Sequence, residues 1–136
     1  MFGKKKKENK WYGKAYILNR KHKLPEPYCT LFKYYESVNI FLRDRILCGH
    51  REYFVFADRD GYLDSAVANL KDILPENHKK NFLSALDKYR ELGRDAEYEE
   101  VGEAYDEFDD YALEHIEELK EILRSYITEM TERHLF

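Results

Sequence analysis

The sequence lacks the features of a membrane or exported protein. No apolar run approaches the roughly 20 residues that a membrane-spanning helix needs. Nothing after Met1 resembles the hydrophobic segment of a signal peptide, so we expect a cytoplasmic protein. Only two cysteines are present, Cys29 and Cys48, and without an export signal we expect both to be reduced thiols. Low-complexity tracts are absent apart from the lysine run 4–7.

Metal-binding and catalytic motifs are lacking as well. No two of the five histidines have the i,i+4 spacing that places both imidazoles on one helix face. The segment that starts at Asp58 fails as a calcium loop, because Gly61 is its fourth residue rather than its sixth and its twelfth is Asn69 rather than glutamate. No serine, cysteine or lysine stands in a recognisable nucleophile motif. The sequence thus predicts no metal and no cofactor, and it favours a protein that is not an enzyme.

Charge is abundant but unevenly distributed. The formal net charge is -4, yet residues 1–35 carry ten Lys or Arg against two Glu. In the stretch 95–121, thirteen of 27 residues are Asp or Glu and only Lys120 is basic. A polarised field of this kind affects the choice of partners more than the fold. The sequence therefore indicates what the protein binds, and it indicates no reaction.

The composition predicts one globular domain. Hydrophobic residues make up 43% of the chain and aromatic residues 15%, which is enough to fill a core. A chain of 136 residues buries roughly two thirds of the surface that its unfolded form exposes, so it can fold without disulfides or metals.

Helical periodicity dominates after residue 30. Apolar residues three and four positions apart predict helices over 31–47, 62–74, 75–92, 99–110 and 111–133. In the last of these helices the predicted core-facing stripe consists of Ala112, Ile116, Leu119, Leu123, Tyr126, Ile127 and Met130, opposite Glu114, Glu117, Glu118 and Glu121.

Residues with special backbone preferences mark several helix ends. Pro75 suits the first position of a helix, because its missing N–H would have no partner there, and Gly93 suits the end of the same helix. Asp60-Gly61 predicts a turn in which Asp60 caps the helix 62–74. In 31–47 a strand is an alternative around Val38 to Phe41, and length favours the helix.

The first 28 residues differ from the rest. We predict that residues 1–10 are mobile and that the Pro-containing stretch 24–28 is an extended linker, whereas 11–18 is an alternative docking segment for the bundle. The expected fold is an all-α, single-domain bundle of about five or six helices over 29–136. A basic, partly extended N-terminal segment, 1–28, precedes it.

Part of the chain resembles the DNA-mimic-protein-like domain family, a group of small helical proteins that is largely uncharacterised. The resemblance covers roughly 45–128, from a glycine turn through an aromatic pair and a helix to a distal aspartate element and a closing helix. Cys48, His50, Glu52 and Leu74 depart from the family pattern. The matching positions are Gly49, Tyr53, Phe54, Ala66, Leu70, Ile73, Phe108, Asp109, Tyr126 and Ile127.

The resemblance implies an acidic surface that imitates nucleic acid for a basic, DNA-binding protein partner. Carboxylates repeated along a helix lie roughly 5 to 6 Å apart, a spacing that a groove lined with Lys and Arg can recognise. The residues expected to bind such a partner are Glu99, Glu100, Glu103, Asp106, Glu107, Asp109, Asp110, Glu114, Glu117, Glu118 and Glu121.

Several alternatives stay open at the level of sequence. The acidic helices are also typical of a solvated face that confers solubility, and of an immunity-type inhibitor of a basic toxin or nuclease. An uncharacterised enzyme with a site in the region Gly49–Asp58 is a third. Direct nucleic-acid binding is expected, if anywhere, only from the N-terminal lysines, and a homodimer is compatible with the many aromatic residues.

Overall fold

The protein is an all-α bundle throughout the part of the chain that the structure describes. The computed structural model describes residues 2–39, 49–96 and 102–134, with side chains described from residue 10 onward. No strand occurs within these ranges, so the predicted fold class is confirmed for them. In chain order the elements are α1 (Phe2–Arg20), α2 (Tyr28–Val38), α3 (His50–Arg59), α4 (Leu63–Ile73), α5 (Glu76–Leu92), a 3₁₀ helix (Gly102–Tyr105), α6 (Asp106–Glu114) and α7 (Ile116–Glu132).

A single hydrophobic core joins these helices, with α2 near its centre. Leu31, Phe32 and Tyr34 of α2 are fully buried, and this helix contacts α3, α4, α6 and α7. Around it α1 packs on α7, and α5 packs on α3 and α6. Each large apolar side chain removed from water in this way contributes about 1.5–3 kcal/mol. The core therefore fixes the positions of the two C-terminal helices, which carry eight of the eleven residues expected to bind a partner.

The segment 11–18 docks on the bundle, as the alternative prediction proposed. Trp11, Ala15 and Leu18 are buried at i, i+4 and i+7, the spacing that one helix face presents to a core. The Trp11 ring centroid lies 5.8 Å from that of Tyr35 on α2. The aromatic residue among the lysines therefore serves packing.

The stretch 24–28, predicted to be an extended linker, instead forms a tight connection. Leu24 is buried, and the backbone N–H of Cys29 donates to the carbonyl oxygen of Pro25 at 2.9 Å. The two prolines fix φ within a turn here rather than within a straight spacer.

The helix predicted over 31–47 begins earlier and ends earlier, at Val38. Asn39 adopts extended backbone angles, φ -95° and ψ 93°, and its side-chain amide donates to the Tyr35 hydroxyl at 3.0 Å. The carbonyl of Ser37 accepts the N–H of Gly49 at 2.7 Å, whereas a continuing helix would give it the N–H of residue 41. The remainder of the predicted helix, 40–48, lies outside the described residues.

Helix α3 lies in a region where the sequence analysis predicted no helix. His50, Tyr53, Phe54 and Ala57 are all buried, and their spacing is i, i+3, i+4 and i+7. His50 is a polar residue within this core face, so a search for apolar spacing alone does not reveal it.

Helices α4 and α5 confirm their predictions closely. Gly93 ends α5 with φ +86°, a left-handed value that glycine adopts without steric cost. Asp60 does not cap α4, however. It follows the last residue of α3, and Tyr62 stands at the N-cap of α4 without a side-chain capping bond.

The long helix predicted over 111–133 is broken at His115. Residues 106–114 form α6, so Ala112 and Glu114 belong to a different helix from Glu117 and the residues after it. The backbone at His115 has φ -109° and ψ 22°, and its carbonyl accepts a hydrogen bond of 2.8 Å from Nε2 of His78. This bond from α5 satisfies the carbonyl at the break.

None of the helices in the described ranges is long and apolar enough to cross a membrane. Cys29 is a free thiol whose pKa is raised by burial, and its Sγ lies 3.4 Å from the side-chain oxygen of Asn19. Cys48 lies outside the described residues.

Candidate acidic interface

The predicted partner-binding residues fall on three consecutive elements. Glu103 is exposed on the 3₁₀ helix, Glu99 and Glu100 lie outside the described residues, and Asp109 alone among the others is only partly exposed. The exposed carboxylates of α6 and α7 are those of Asp106, Glu107, Asp110, Glu114, Glu117, Glu118 and Glu121.

Four of these residues form one side of α6, which we call the α6 face: Asp106, Glu107, Asp110 and Glu114. At 100° per residue they fall within an arc of about 100°, on the side away from the buried Phe108 and Ala112. Helix α6 contains no Lys or Arg. Among the described residues none of these four carboxylates is in an ion pair. Within the described part of the chain, the α6 face therefore has no cationic side chain within ion-pair distance of its carboxylates.

This arrangement is not what helix stability alone requires. Asp106 and Glu107 lie in the first turn, where the helix dipole favours an anion, but Glu114 lies at the opposite end, where the dipole disfavours one. Like charges at i and i+4 cost about 0.2–0.5 kcal/mol per pair. The pairs 106 with 110 and 110 with 114 both have that spacing. A function in binding would explain this small cost.

Asp109 has a different environment from the α6 face. Its Oδ1 accepts the backbone N–H of His50 at 2.8 Å and lies 2.7 Å from the Nδ1 of the same residue, which is fully buried. A carboxylate is an acceptor only, so Nδ1 carries the proton. The Nε2 of a neutral His50 is then the acceptor for the Tyr34 hydroxyl, at 2.7 Å. This chain ties α2, α3 and α6 together and positions the α6 face.

Gly49 allows Asp109 to approach so closely. The glycine has φ +104°, and a Cβ at this position would lie 2.8 Å from Oδ2 of Asp109. Any larger residue would therefore meet both backbone strain and a direct clash. This explains in physical terms why a glycine stands immediately before α3.

Four exposed carboxylates of α7 border a groove that we call the α7 groove. It has a volume of about 740 Å³ and opens to solvent. Its acidic rim consists of Glu117, Glu118, Glu121 and Glu129. The other described residues that line it are Tyr28, Pro75, Ile122, Ser125 and Tyr126, so no Lys or Arg is among them.

The floor of the α7 groove is mainly apolar and aromatic. The rings of Tyr28 and Tyr126 are stacked, with centroids 3.7 Å apart and planes at 14°. Pro75 and Ile122 extend this surface. An apolar surface beside a row of carboxylates on one helix is suited to a ligand that is positively charged and has flat or aliphatic parts.

Three of the four rim carboxylates are paired with basic neighbours on α7 or at its C-terminal end. Glu117 pairs with Lys120 at 3.0 Å, Glu121 with Arg124, and Glu129 with Arg133 at 2.9 Å. Exposed pairs of this type are worth only about 0–1 kcal/mol, so a cation entering the groove can replace them.

Glu118 is held by α5 instead. It accepts from Nδ2 of Asn77 at 2.8 Å and lies 3.1 Å from Nε2 of His78. Burial lowers the pKa of His78, so the imidazole is uncharged at neutral pH and does not cancel the charge of Glu118. This carboxylate is therefore oriented by two side chains that carry no charge at neutral pH.

Sequence reasoning missed Glu129 and the whole floor of the groove. Glu129 continues the series 117, 121 and 125 at intervals of four, a spacing that was available in the sequence. Tyr126 was assigned to the core stripe, although it is only partly buried. The contribution of Tyr28 had no local signal, because its contact with Tyr126 spans nearly a hundred residues of sequence.

Three residues of the region proposed for an alternative enzyme site, His50, Tyr53 and Asp58, have different surroundings in the described part of the chain. His50 and Tyr53 are buried, and the carboxylate of Asp58 accepts a hydrogen bond of 2.7 Å from the Tyr89 hydroxyl. A pocket of about 240 Å³ is lined by Tyr53, but neither His50 nor Asp58 lines it. The described residues also contain no group of three or more His, Cys, Asp or Glu that could hold a metal ion.

Comparison of the chain with known proteins found no match. No protein-family model matches the chain. No curated protein and no solved structure matches it either. The resemblance to the DNA-mimic-protein-like domain family therefore rests on the positions quoted from the sequence.

Proposed function

We propose that this protein binds a basic, DNA-binding protein through the acidic surface of α6 and α7, as a non-enzymatic mimic of nucleic acid. The observation that carries the proposal is the α6 face, where Asp106, Glu107, Asp110 and Glu114 are exposed and have no cationic partner among the described residues. A surface selected only for solubility would gain from alternating signs of charge.

The physical basis is competition for cationic side chains. Duplex DNA carries one negative charge per roughly 1.7 Å of its axis, so proteins that bind it present clusters of Lys and Arg. Carboxylates at intervals of four along α6 are spaced by about 6 Å, close enough for neighbouring lysines or arginines to pair with them in succession. The proposed partner therefore has a DNA-binding surface that this protein occupies.

The rigid attachment of α6 supports the same function. Because Asp109 is bound to His50 and Phe108 and Ala112 are buried, the α6 face is oriented before a partner arrives. Such preorganisation reduces the entropy lost on binding.

Affinity purification with the full chain from its source cell tests the proposal. A variant with Asp106→Asn, Glu107→Gln, Asp110→Asn and Glu114→Gln should lose the captured partner. The partner of the wild-type chain should dissociate as salt rises from about 50 to about 500 mM, because screening weakens exposed charge pairs. Added duplex DNA should displace it, since both ligands compete for one basic surface.

A matched control separates a specific surface from net charge. Four exposed acidic residues elsewhere are replaced in the control: Asp72→Asn, Asp87→Asn, Glu91→Gln and Asp95→Asn. Both variants remove four negative charges from a chain of net charge -4. If both variants retain the partner equally, or if only acidic or uncharged proteins are captured, the proposal is wrong. Capture of a hydrolytic effector that DNA does not displace would instead support an immunity-type inhibitor.

A further inference from the structure

We propose that the α7 groove is a docking site for an arginine-bearing peptide segment of a partner protein. This inference deepens the proposed function and rests on it for the identity of the partner as a basic protein. It concerns a different surface from the α6 face, and it names the side chain that the groove recognises.

The occupant is argued from charge complementarity. The described lining of the groove includes the four carboxylates Glu117, Glu118, Glu121 and Glu129 and no cation. Three of them are spaced along one side of α7, and the first and last are separated by about 18 Å along the helix axis. A groove of that length and about 740 Å³ accommodates a short peptide rather than a single ion.

Arginine fits this lining better than lysine does. The guanidinium is planar and weakly hydrated, so it packs on flat apolar surfaces such as the one formed by Tyr28, Tyr126 and Pro75. Its fork of N–H groups can also bind one carboxylate with two parallel hydrogen bonds. A lysine ammonium is compact and strongly hydrated, and it gains little from an apolar floor.

Glu118 gives the groove a fixed point of attachment. Its carboxylate is already oriented by Asn77 and His78, neither of which is charged at neutral pH. An incoming guanidinium therefore meets an acceptor that has lost its rotational freedom. Glu117, Glu121 and Glu129 exchange their weak surface partners for the peptide.

Calorimetry with synthetic peptides tests the inference on the isolated full chain. Three peptides of about twelve residues share a leucine-containing sequence and differ only at four positions, which hold arginine, lysine or the neutral isostere citrulline. The arginine peptide should bind, the lysine peptide should bind about tenfold more weakly, and the citrulline peptide should not bind measurably.

Two variants of α7 locate the binding. Ser125 is exposed and lines the groove, so Ser125→Arg places a cation inside it and should abolish binding of the arginine peptide. Thr128 is also exposed on α7 but lines a different pocket beside α1. Thr128→Arg adds the same charge outside the groove and should leave the affinity within about twofold.

Several outcomes overturn the inference. If both variants bind the peptide as the wild-type chain does, the peptide binds elsewhere and the inference is wrong. That result would leave the proposed binding through the α6 face unaffected, because the affinity purification tests it separately. If the lysine and arginine peptides bind equally, the groove is a nonspecific anionic surface. Analytical sedimentation gives the oligomeric state of the wild-type chain and of the Ser125→Arg variant. If the wild-type chain is a dimer and the variant is a monomer, a second copy of the chain fills the groove and the inference is wrong.

Discussion

Nδ1 of His50 lies 2.7 Å from Oδ1 of Asp109, and the same carboxylate oxygen accepts the His50 backbone N–H at 2.8 Å. One side chain of α6 therefore satisfies two donors at the beginning of α3. Because His50 is fully buried, neither donor has water as a substitute partner.

Replacing Asp109 by alanine should destabilise the fold. The variant leaves two buried donors without an acceptor, so we expect the free energy of unfolding to fall by about 2–3 kcal/mol in urea titrations. Asp110→Asn is the control, since that neighbour is exposed and should change stability by no more than about 0.5 kcal/mol. Equal effects of the two variants would show that the His50 contact is dispensable.

Gly49→Ala should destabilise the protein more than Gly61→Ala does. Both glycines have positive φ, +104° and +82°, so both substitutions carry a backbone cost of about 1–2 kcal/mol. Only at Gly49 does the added Cβ meet another group, Oδ2 of Asp109 at 2.8 Å, whereas Gly61 faces open space. Thermal unfolding of the two variants measures the difference, and identical melting temperatures would contradict the predicted clash.

His78 should make stability depend on pH below neutrality. Burial lowers its pKa from the ordinary value of 6.5, so in this range the unfolded chain binds a proton that the folded chain does not. The contribution of His78 is therefore complete above about pH 6.5 and is lost as the pH falls through its folded pKa.

The His78→Gln variant isolates this effect. Urea titrations between about pH 7 and 5 should show a smaller loss of stability for the variant than for the wild-type chain, because the variant lacks the group that titrates. The quantity compared is the slope of the free energy of unfolding against pH, so a difference in stability that is the same at every pH does not affect the result. Parallel slopes would show that another group causes the pH dependence.

Neutralising the two ends of α6 should change stability in opposite directions. Glu114→Gln removes an anion from the unfavourable end of the helix dipole and relieves repulsion with Asp110, so we expect a gain of about 0.2–0.5 kcal/mol. Asp106→Asn removes an anion from the favourable first turn and should cost about 0.3–1 kcal/mol. Chemical denaturation at low salt measures both, and a loss of stability in Glu114→Gln would indicate a structural role for that carboxylate.

The sequence predicted helices well where the apolar spacing was regular. Helices α4 and α5 were found almost to the residue. In α5, for example, the buried residues Phe82, Leu86 and Tyr89 follow one another at intervals of four and three, which a helix but not a strand places on one side. Helix α3 was not predicted. Its core face includes His50, a residue whose ring nitrogens have hydrogen-bond partners from α2 and α6. A search for apolar residues at helical spacing does not include a histidine, so it does not find this helix.

The ends of two helices were not predictable for a related reason. Helix α2 ends where Gly49 takes the carbonyl of Ser37, and the break at His115 is stabilised by a hydrogen bond from His78. Both hydrogen bonds join segments that are distant in sequence, so the helix propensity of the neighbouring residues does not predict either helix end. The positions of the exposed carboxylates were largely predicted. The groove was not, because six of its nine described lining residues lie outside the acidic stretch 95–121.

The break at His115 has a consequence for any attempt to reproduce the acidic surface in a smaller molecule. A synthetic peptide with the sequence of 106–132 would tend toward one straight rod, in which Asp110 and Glu121 follow a common line. In the protein those two carboxylates lie on separate helices, α6 and α7. The break between these helices is stabilised by the hydrogen bond from His78 of α5. The excised peptide would carry every one of these charges and still arrange them differently, so we expect that only the whole bundle reproduces this surface.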